Sequence, residues 1–242
     1  DIDSTAALAT PGVVAVFSAA DLAAGGDPVI PGGFGLKNHD GTPARLPARP
    51  LLAGERVRHV GDAVAMVVAH SREAARDGAE CVQVNYQELP AVVDAAAALL
   101  DGAPQLFDEV PHNEGLHWYG GDRNAVDQVM QTAHHVTRIR VVNNRVVVAP
   151  METRGVLASF DPGSARYTVH APSQGANDVK SGLAAALKVA VADIHVLTPD
   201  VGGAFGIKIP AYPEYILAAW AARRVGRPVK WTDERSESFL SD

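Results

Sequence analysis

TPDVGGAFGIK, from Thr198 to Lys208, sets three glycines around one phenylalanine, just after the apolar run DIHVL and before YPEYILAAWAARR, a stretch with helical spacing. Glycine has no Cβ, so a connection of this kind brings bare backbone N–H groups close to something that side chains would keep away. Phosphate is the first ligand the pattern suggests. The spacing rejects its two common forms, because VGGAFGIK lacks the G-x-G-x-x-G order and Ile207 separates Gly206 from Lys208 where a P-loop needs adjacent Gly-Lys. From the residues alone, two readings stand: a loop that faces a ligand, or a tight turn with Phe205 packed in the core. A near copy, PGGFGLK at Pro31 to Lys37, has neither a strand before it nor a helix after it. It falls inside Gly25 to Gly54, where seven Gly and five Pro with no sustained apolar period mark an irregular loop.

Working outward, DIHVLTPDV is expected to be the strand that delivers the motif, and Pro213 to open a helix that Gly226 and Pro228 stop. Upstream, NDVKSGLAAALKVA reads as an amphipathic helix capped by Asn177 or Asp178 and burying Val179, Leu183, Ala186 and Leu187. VLASFDPGSARYTVHAPS reads as a hairpin turning at Asp161, Pro162 and Gly163. Before it, HHVTRIRVVNNRVVVAPMETRG has the pattern of an extended ribbon and AVDQVMQTA that of a helix. The stretch from Gln87 to Gly115 loses strand character and is read as a connector with one short helix around Ala95 to Leu100. Nearer the start, Val13 to Phe17 reads as a strand, and Ser18 with Asp21 as the cap of a short helix closed by Gly25 and Gly26. ERVRHVG, AVAMVVA, a helix opening at Ser71, and CVQVNY at Cys81 to Tyr86 then form a strand, strand, helix, strand unit.

The 242 residues suffice for two compact units. A net charge of −7 disfavours nucleic acid and anionic lipid as partners and points to a small molecule or a protein. Apolar runs such as VAMVVA at Val64 to Ala69 are far shorter than the roughly 18 residues of a bilayer span. A single cysteine, Cys81, placed in an apolar strand, reads as a buried inert thiol and fits a reducing cytoplasm. His134 and His135 would face opposite sides of an extended chain, so the pattern offers no protein-ligated metal. Glu152 and Arg154 in APMETRG are candidates for substrate binding or for a structural ion pair. No nucleophile-elbow signature is present.

Taken in order, LLAGERVRHVGDAVAMVVA, CVQVNYQELPAVVD, APMETRG, APSQGAND, TPDVGGAFGIK and AYPEY resemble the large, molybdopterin-binding subunit of the molybdenum hydroxylases, the xanthine dehydrogenase, aldehyde oxidase and aerobic carbon monoxide dehydrogenase family. The resemblance covers almost the whole chain, and AYPEY at Ala211 to Tyr215 is similar to the carbon monoxide dehydrogenase form. It implies an α+β chain: an a/b hammerhead domain over residues 1–93, a linker over 94–122, and the first part of the molybdenum-cofactor-binding α/β domain over 123–242. It also implies that the chain is a fragment, with the family's general-base glutamate and substrate loop lying beyond Asp242.

What the resemblance implies for the site is specific. Gly202, Gly203, Ala204, Phe205 and Gly206 would present backbone to the cofactor, and Gln174 would direct its side-chain amide to an oxygen on the metal. The molybdenum would be held by the pterin dithiolene rather than by protein ligands, in molybdopterin cytosine dinucleotide, with copper added in the carbon monoxide branch. Electrons would leave through an iron–sulfur small subunit to an FAD medium subunit, in a dimer of heterotrimers. Two departures stand out: Ala204 occupies the position of a third family glycine, and Ile209 stands where purine-oxidising members carry a glutamate, which argues against xanthine. Two alternatives remain, a module that binds a phosphate ligand without redox chemistry and a subunit-interaction domain of the same fold.

Overall fold

The computed structural model describes residues 1–26, 28–32 and 35–241. The chain is α+β and divides into two units, Asp1–Gly32 with Ala48–Pro90 and Val148–Asp242 in the first, and Gly33–Pro47 with Ala91–Val147 in the second. In chain order the strands and helices are β1 (Ile2–Asp3), α1 (Thr5–Ala9), β2 (Val13–Ser18), α2 (Ala19–Ala24), β3 (Val29–Ile30), β4 (Arg49–Pro50), β5 (Ala65–Ala69), α3 (Arg72–Glu80) and β6 (Gln83–Val84). Then come α4 (Arg123–Thr132), β7 (Gly155–Asp161), β8 (Arg166–His170), α5 (Ala176–Leu187), β9 (Ile194–Leu197), α6 (Pro213–Val225), β10 (Val229–Thr232) and α7 (Arg235–Ser241).

Local signals account for several element ends. The Asp21 carboxylate accepts from both the backbone N–H and the hydroxyl of Ser18, which starts α2, and Ser71 Oγ accepts from the Ala74 N–H to start α3. Pro213 opens α6 and Gly226, at φ 65°, closes it in the left-handed region that glycine tolerates. In the 162–165 turn, the Asp161 carboxylate holds both the Gly163 N–H and the Ser164 hydroxyl.

In the first unit, a four-stranded sheet has the order β10-β7-β8-β9, with β8 and β9 parallel and the other pairs antiparallel. Helices α5 and α6 pack with it, burying Val179, Leu183, Tyr215, Ile216 and Trp220 against Val156, Tyr167, Val169 and Ile194. This apolar burial is the main favourable term for the fold. β2 pairs antiparallel with β5, and Phe17 on β2 meets Trp220 of α6 edge-to-face at 4.9 Å. In the second unit, Asn113 ties two short turns together by donating to the Ala98 and Pro104 carbonyls and accepting from the Leu106 N–H.

Four expectations change. ERVRHVG is no strand: Asp62 Oδ2 accepts from the Arg58 N–H, and Gly61, at φ 89°, turns the chain back so that the Ala53 N–H reaches the Ala63 carbonyl. The ribbon expected in HHVTRIRVVNNRVVVAPMETRG forms no strand before Gly155, where β7 begins; Ile139, Val141 and Val146 are exposed, and extended residues without a neighbouring strand have no ladder to join. Cys81 sits at the C-terminal cap of α3, not in a strand, and is half-buried. Helix α5 is capped by Gly175 in an extended conformation, with Asp178 inside its first turn, where a carboxylate suits the positive end of the helix dipole. PGGFGLK includes Gly33 and Phe34, which lie outside the described residues.

Candidate functional site

Sheet order brings three separated motifs to one edge. Because β8 and β9 run parallel, the segments leaving them, 171–175 and 198–212, emerge on the same side, and the carboxyl edge of parallel strands is where open sheets bind ligands. Antiparallel β7 begins at that edge, which adds the segment 149–154. The two exit segments run side by side, joined by the Ala171 N–H to the Leu197 carbonyl at 3.1 Å and by the Ser173 and Thr198 hydroxyls at 2.7 Å.

Gln174 and the glycine loop meet there. The Gly206 N–H donates to Gln174 Oε1 at 2.7 Å, and the Gln174 N–H donates to the Lys208 carbonyl at 2.9 Å. Since a backbone N–H only donates, the side-chain oxygen must face Gly206, and the Gln174 NH2 group is left as a donor turned elsewhere. Among the described residues nothing accepts from it. Gln174 is exposed, and the cap of α5 is Gly175 rather than its side chain.

The glycines serve different ends. A Cβ on Gly202 would come within 2.6 Å of Glu152 Cβ, so glycine is required there by close approach. Gly206, at φ 104°, has nothing within 4 Å of a built Cβ and faces open space. Phe205 is left-handed at φ 55° and 75% exposed, which removes the core-packed reading of its ring. Ala204 is not among the residues with positive φ, so a methyl group fits its backbone conformation.

Glu152 and Arg154 both enter ion pairs, though not with each other. Glu152 Oε2 accepts from Lys208 Nζ at 2.8 Å and from the Gly202 N–H at 2.8 Å. Burial pushes the Glu152 carboxyl up, but the hydrogen bonds from Lys208 and Gly202 and the Lys208 charge outweigh it and hold it below its ordinary value. Arg154, buried beneath the Tyr212 ring at 4.0 Å, pairs with Glu214 at 3.0 Å and lies 3.7 Å from Asp233. The Lys208 pairing was not legible in the sequence, where a lysine in a glycine-rich loop points to a phosphate rather than to a carboxylate 56 residues upstream.

What the arrangement offers a ligand is open space beside Gly206, whose own N–H is held by Gln174, an exposed aromatic ring, and one neutral carboxamide donor held by its own oxygen. Among the described residues, no group of three or more His, Cys, Asp or Glu is disposed to hold a metal ion, and no helix is long and apolar enough to cross a membrane.

Residues 106–242 match the profile of the molybdopterin cofactor-binding domain, and residues 1–90 that of the aldehyde oxidase and xanthine dehydrogenase a/b hammerhead domain. The carbon monoxide dehydrogenase large chain of Hydrogenophaga pseudoflava is 34% identical over 250 residues, covering 98% of this chain and 30% of that protein. Quinoline 2-oxidoreductase from Pseudomonas putida 86 superposes with a TM-score of 0.83 at 33% identity, over 99% of this chain and 30% of its own. Reconstituted carbon monoxide dehydrogenase from Oligotropha carboxidovorans does so with a TM-score of 0.86 at 30% identity, over 98% and 30% of the two chains. The chain thus spans under a third of the length of these relatives. With both domain profiles in order along it, the chain belongs to the molybdopterin-binding large-subunit family of the molybdenum hydroxylases.

Proposed function

We propose that this chain forms part of the cofactor site of a molybdenum-dependent hydroxylase or dehydrogenase. In that site, Gly203, Ala204, Phe205 and Gly206 present backbone to the pterin, Gly202, turned to Glu152, seats the start of the loop, and Gln174 turns its amide to the metal centre. The observation that carries the reading is the 2.7 Å bond from the Gly206 N–H to Gln174 Oε1, which joins the two elements and determines which end of the carboxamide remains to donate. When bound, the molybdenum centre supplies the acceptor for two electrons from the substrate. The chain's own contribution is positional: Gln174 offers a donor with no charge, a preorganised dipole that needs no rearrangement during reaction.

The wider reading is a carbon monoxide dehydrogenase-like large subunit in the cytoplasm, with molybdopterin cytosine dinucleotide, with copper if the substrate is carbon monoxide, and with iron–sulfur and FAD subunits in a dimer of heterotrimers. We keep 1–93 as hammerhead, 94–122 as linker and 123–242 as the start of the cofactor domain. The similarity to a quinoline oxidoreductase supports an N-heterocycle as a second substrate class. Ile209, apolar and 46% exposed beside the loop, would leave a purine's polar edge unpaired, a cost of about 1–3 kcal/mol.

The test is metal and pterin analysis of the native complex, followed by kcat/KM for carbon monoxide, a simple aldehyde, an N-heterocycle and xanthine. Stoichiometric molybdenum and pterin with turnover of one of the first three is the expected result. A complex without pterin would return the chain to a phosphate-ligand or subunit-interaction role. A preference for xanthine would remove the argument from Ile209.

A further inference from the structure

Lys208 is a fully buried ammonium in a loop, and its partner is a side chain left 39% exposed. A buried cation without its counter-charge is costly, so the pairing constrains where this loop can sit. One carboxylate oxygen, Glu152 Oε2, takes hydrogen bonds from the Gly202 N–H and from Lys208 Nζ, at opposite ends of the loop 202–208. The Glu152 N–H returns a bond to the Gly202 carbonyl at 3.1 Å, and the absent side chain of Gly202 allows the approach. The same Lys208 carries the carbonyl that seats the Gln174 N–H, and Gln174 in turn holds the Gly206 N–H.

We propose that Glu152 and Lys208 are positioning residues: a clamp on one carboxylate oxygen that sets the glycine loop over residues 202–208 and, through the Lys208 carbonyl, the seat of Gln174. Its catalytic meaning rests on the reading of Gln174 and the loop as the cofactor's neighbours. The bonds of the clamp join residues 152, 174, 202 and 208, all outside the strands, so the clamp holds a loop rather than the sheet. The hydrogen bonds from Lys208 and Gly202 that keep the Glu152 carboxyl charged agree with this role.

The experiment uses the complete enzyme with Glu152→Gln, Lys208→Met and the double variant. Glu152→Gln keeps an acceptor for the Gly202 N–H but leaves the buried ammonium facing a neutral group. Amide exchange over 202–208 is expected to rise about tenfold or more, with α5 and α6 unchanged, because the opening is local. Turnover per bound molybdenum should fall roughly tenfold with KM within about twofold, since a displaced donor acts on the reacting centre rather than on substrate binding. Adding Lys208→Met should recover part of both losses, because it removes the uncompensated charge. Unchanged exchange over 202–208 in Glu152→Gln, or a double variant no better than that single one, overturns the clamp. Molybdenum content of the wild type separates the two readings: an enzyme without it ends the cofactor reading, while exchange and its rescue still decide the clamp.

Discussion

Arg154 and Lys208 are both buried cations near the same sheet edge, 1% and 0% exposed, yet they are held in opposite ways. The planar guanidinium of Arg154 gathers Glu214 from α6 and Asp233 from the end of β10, and lies against the rings of Tyr212 and Trp231 at 4.0 and 5.2 Å. Lys208 is a point charge and spends itself on one carboxylate. The difference separates a fold anchor from a loop anchor. Losing the first unties helix from sheet, whereas losing the second moves only the residues that the site needs.

The largest effect expected from this contrast is that of Arg154→Ala. Glu214 at 3.0 Å and Asp233, whose side chain is 1% exposed, would both lose the Arg154 charge, and breaking a buried pair in this way costs about 3–5 kcal/mol. Denaturant unfolding of the complete enzyme checks it, and a loss below about 1 kcal/mol would erase the distinction between the two cations. Gln174→Ala comes next. It should slow turnover per bound molybdenum roughly tenfold to a thousandfold, as for one lost preorganised donor, with the melting midpoint nearly unmoved. A fallen midpoint with unchanged turnover would assign Gln174 to the fold and break the comparison from the other side.

Substitution in the loop itself gives a smaller effect. Gly206→Ala, at φ 104°, forces a side chain into a conformation that costs about 1–2 kcal/mol and should reduce cofactor retention, while Ala204→Gly should change stability by less than about 1 kcal/mol. Equal molybdenum content in the two variants would show that the conformation of Gly206 is not what the site requires. The smallest effect is that of pH. Because the Glu152 carboxyl is depressed in the folded chain, its contribution is full above the ordinary glutamate value and is lost as pH falls through the lower folded value. The group is 39% exposed and water screens it, so the change should appear as faster exchange of residues 202–208 in acid, not as unfolding. In Glu152→Gln that acid step should be absent, once the ordinary pH dependence of exchange is removed.

The residues by themselves determined what neighbours within a few positions decide. Ser18 with Asp21, Ser71 before α3, Pro213 and Gly226 around α6, and Asp161 with Gly163 in the hairpin each act across no more than five residues of their element's end, where chain entropy hardly opposes the contact. The order of APMETRG, APSQGAND and TPDVGGAFGIK carried the family, since each motif is an unbroken run of residues. Pairing across the chain was decided elsewhere. ERVRHVG and the 133–149 stretch have strand patterns but no strands, because a strand exists only where a neighbour supplies the ladder. Gln174 reaches Gly206 across 32 residues and Glu152 reaches Lys208 across 56. Nothing local to any of the four names its partner. The parallel pairing of β8 with β9 and the antiparallel return to β7 bring those segments to one edge, where burying the Lys208 ammonium made a carboxylate partner necessary.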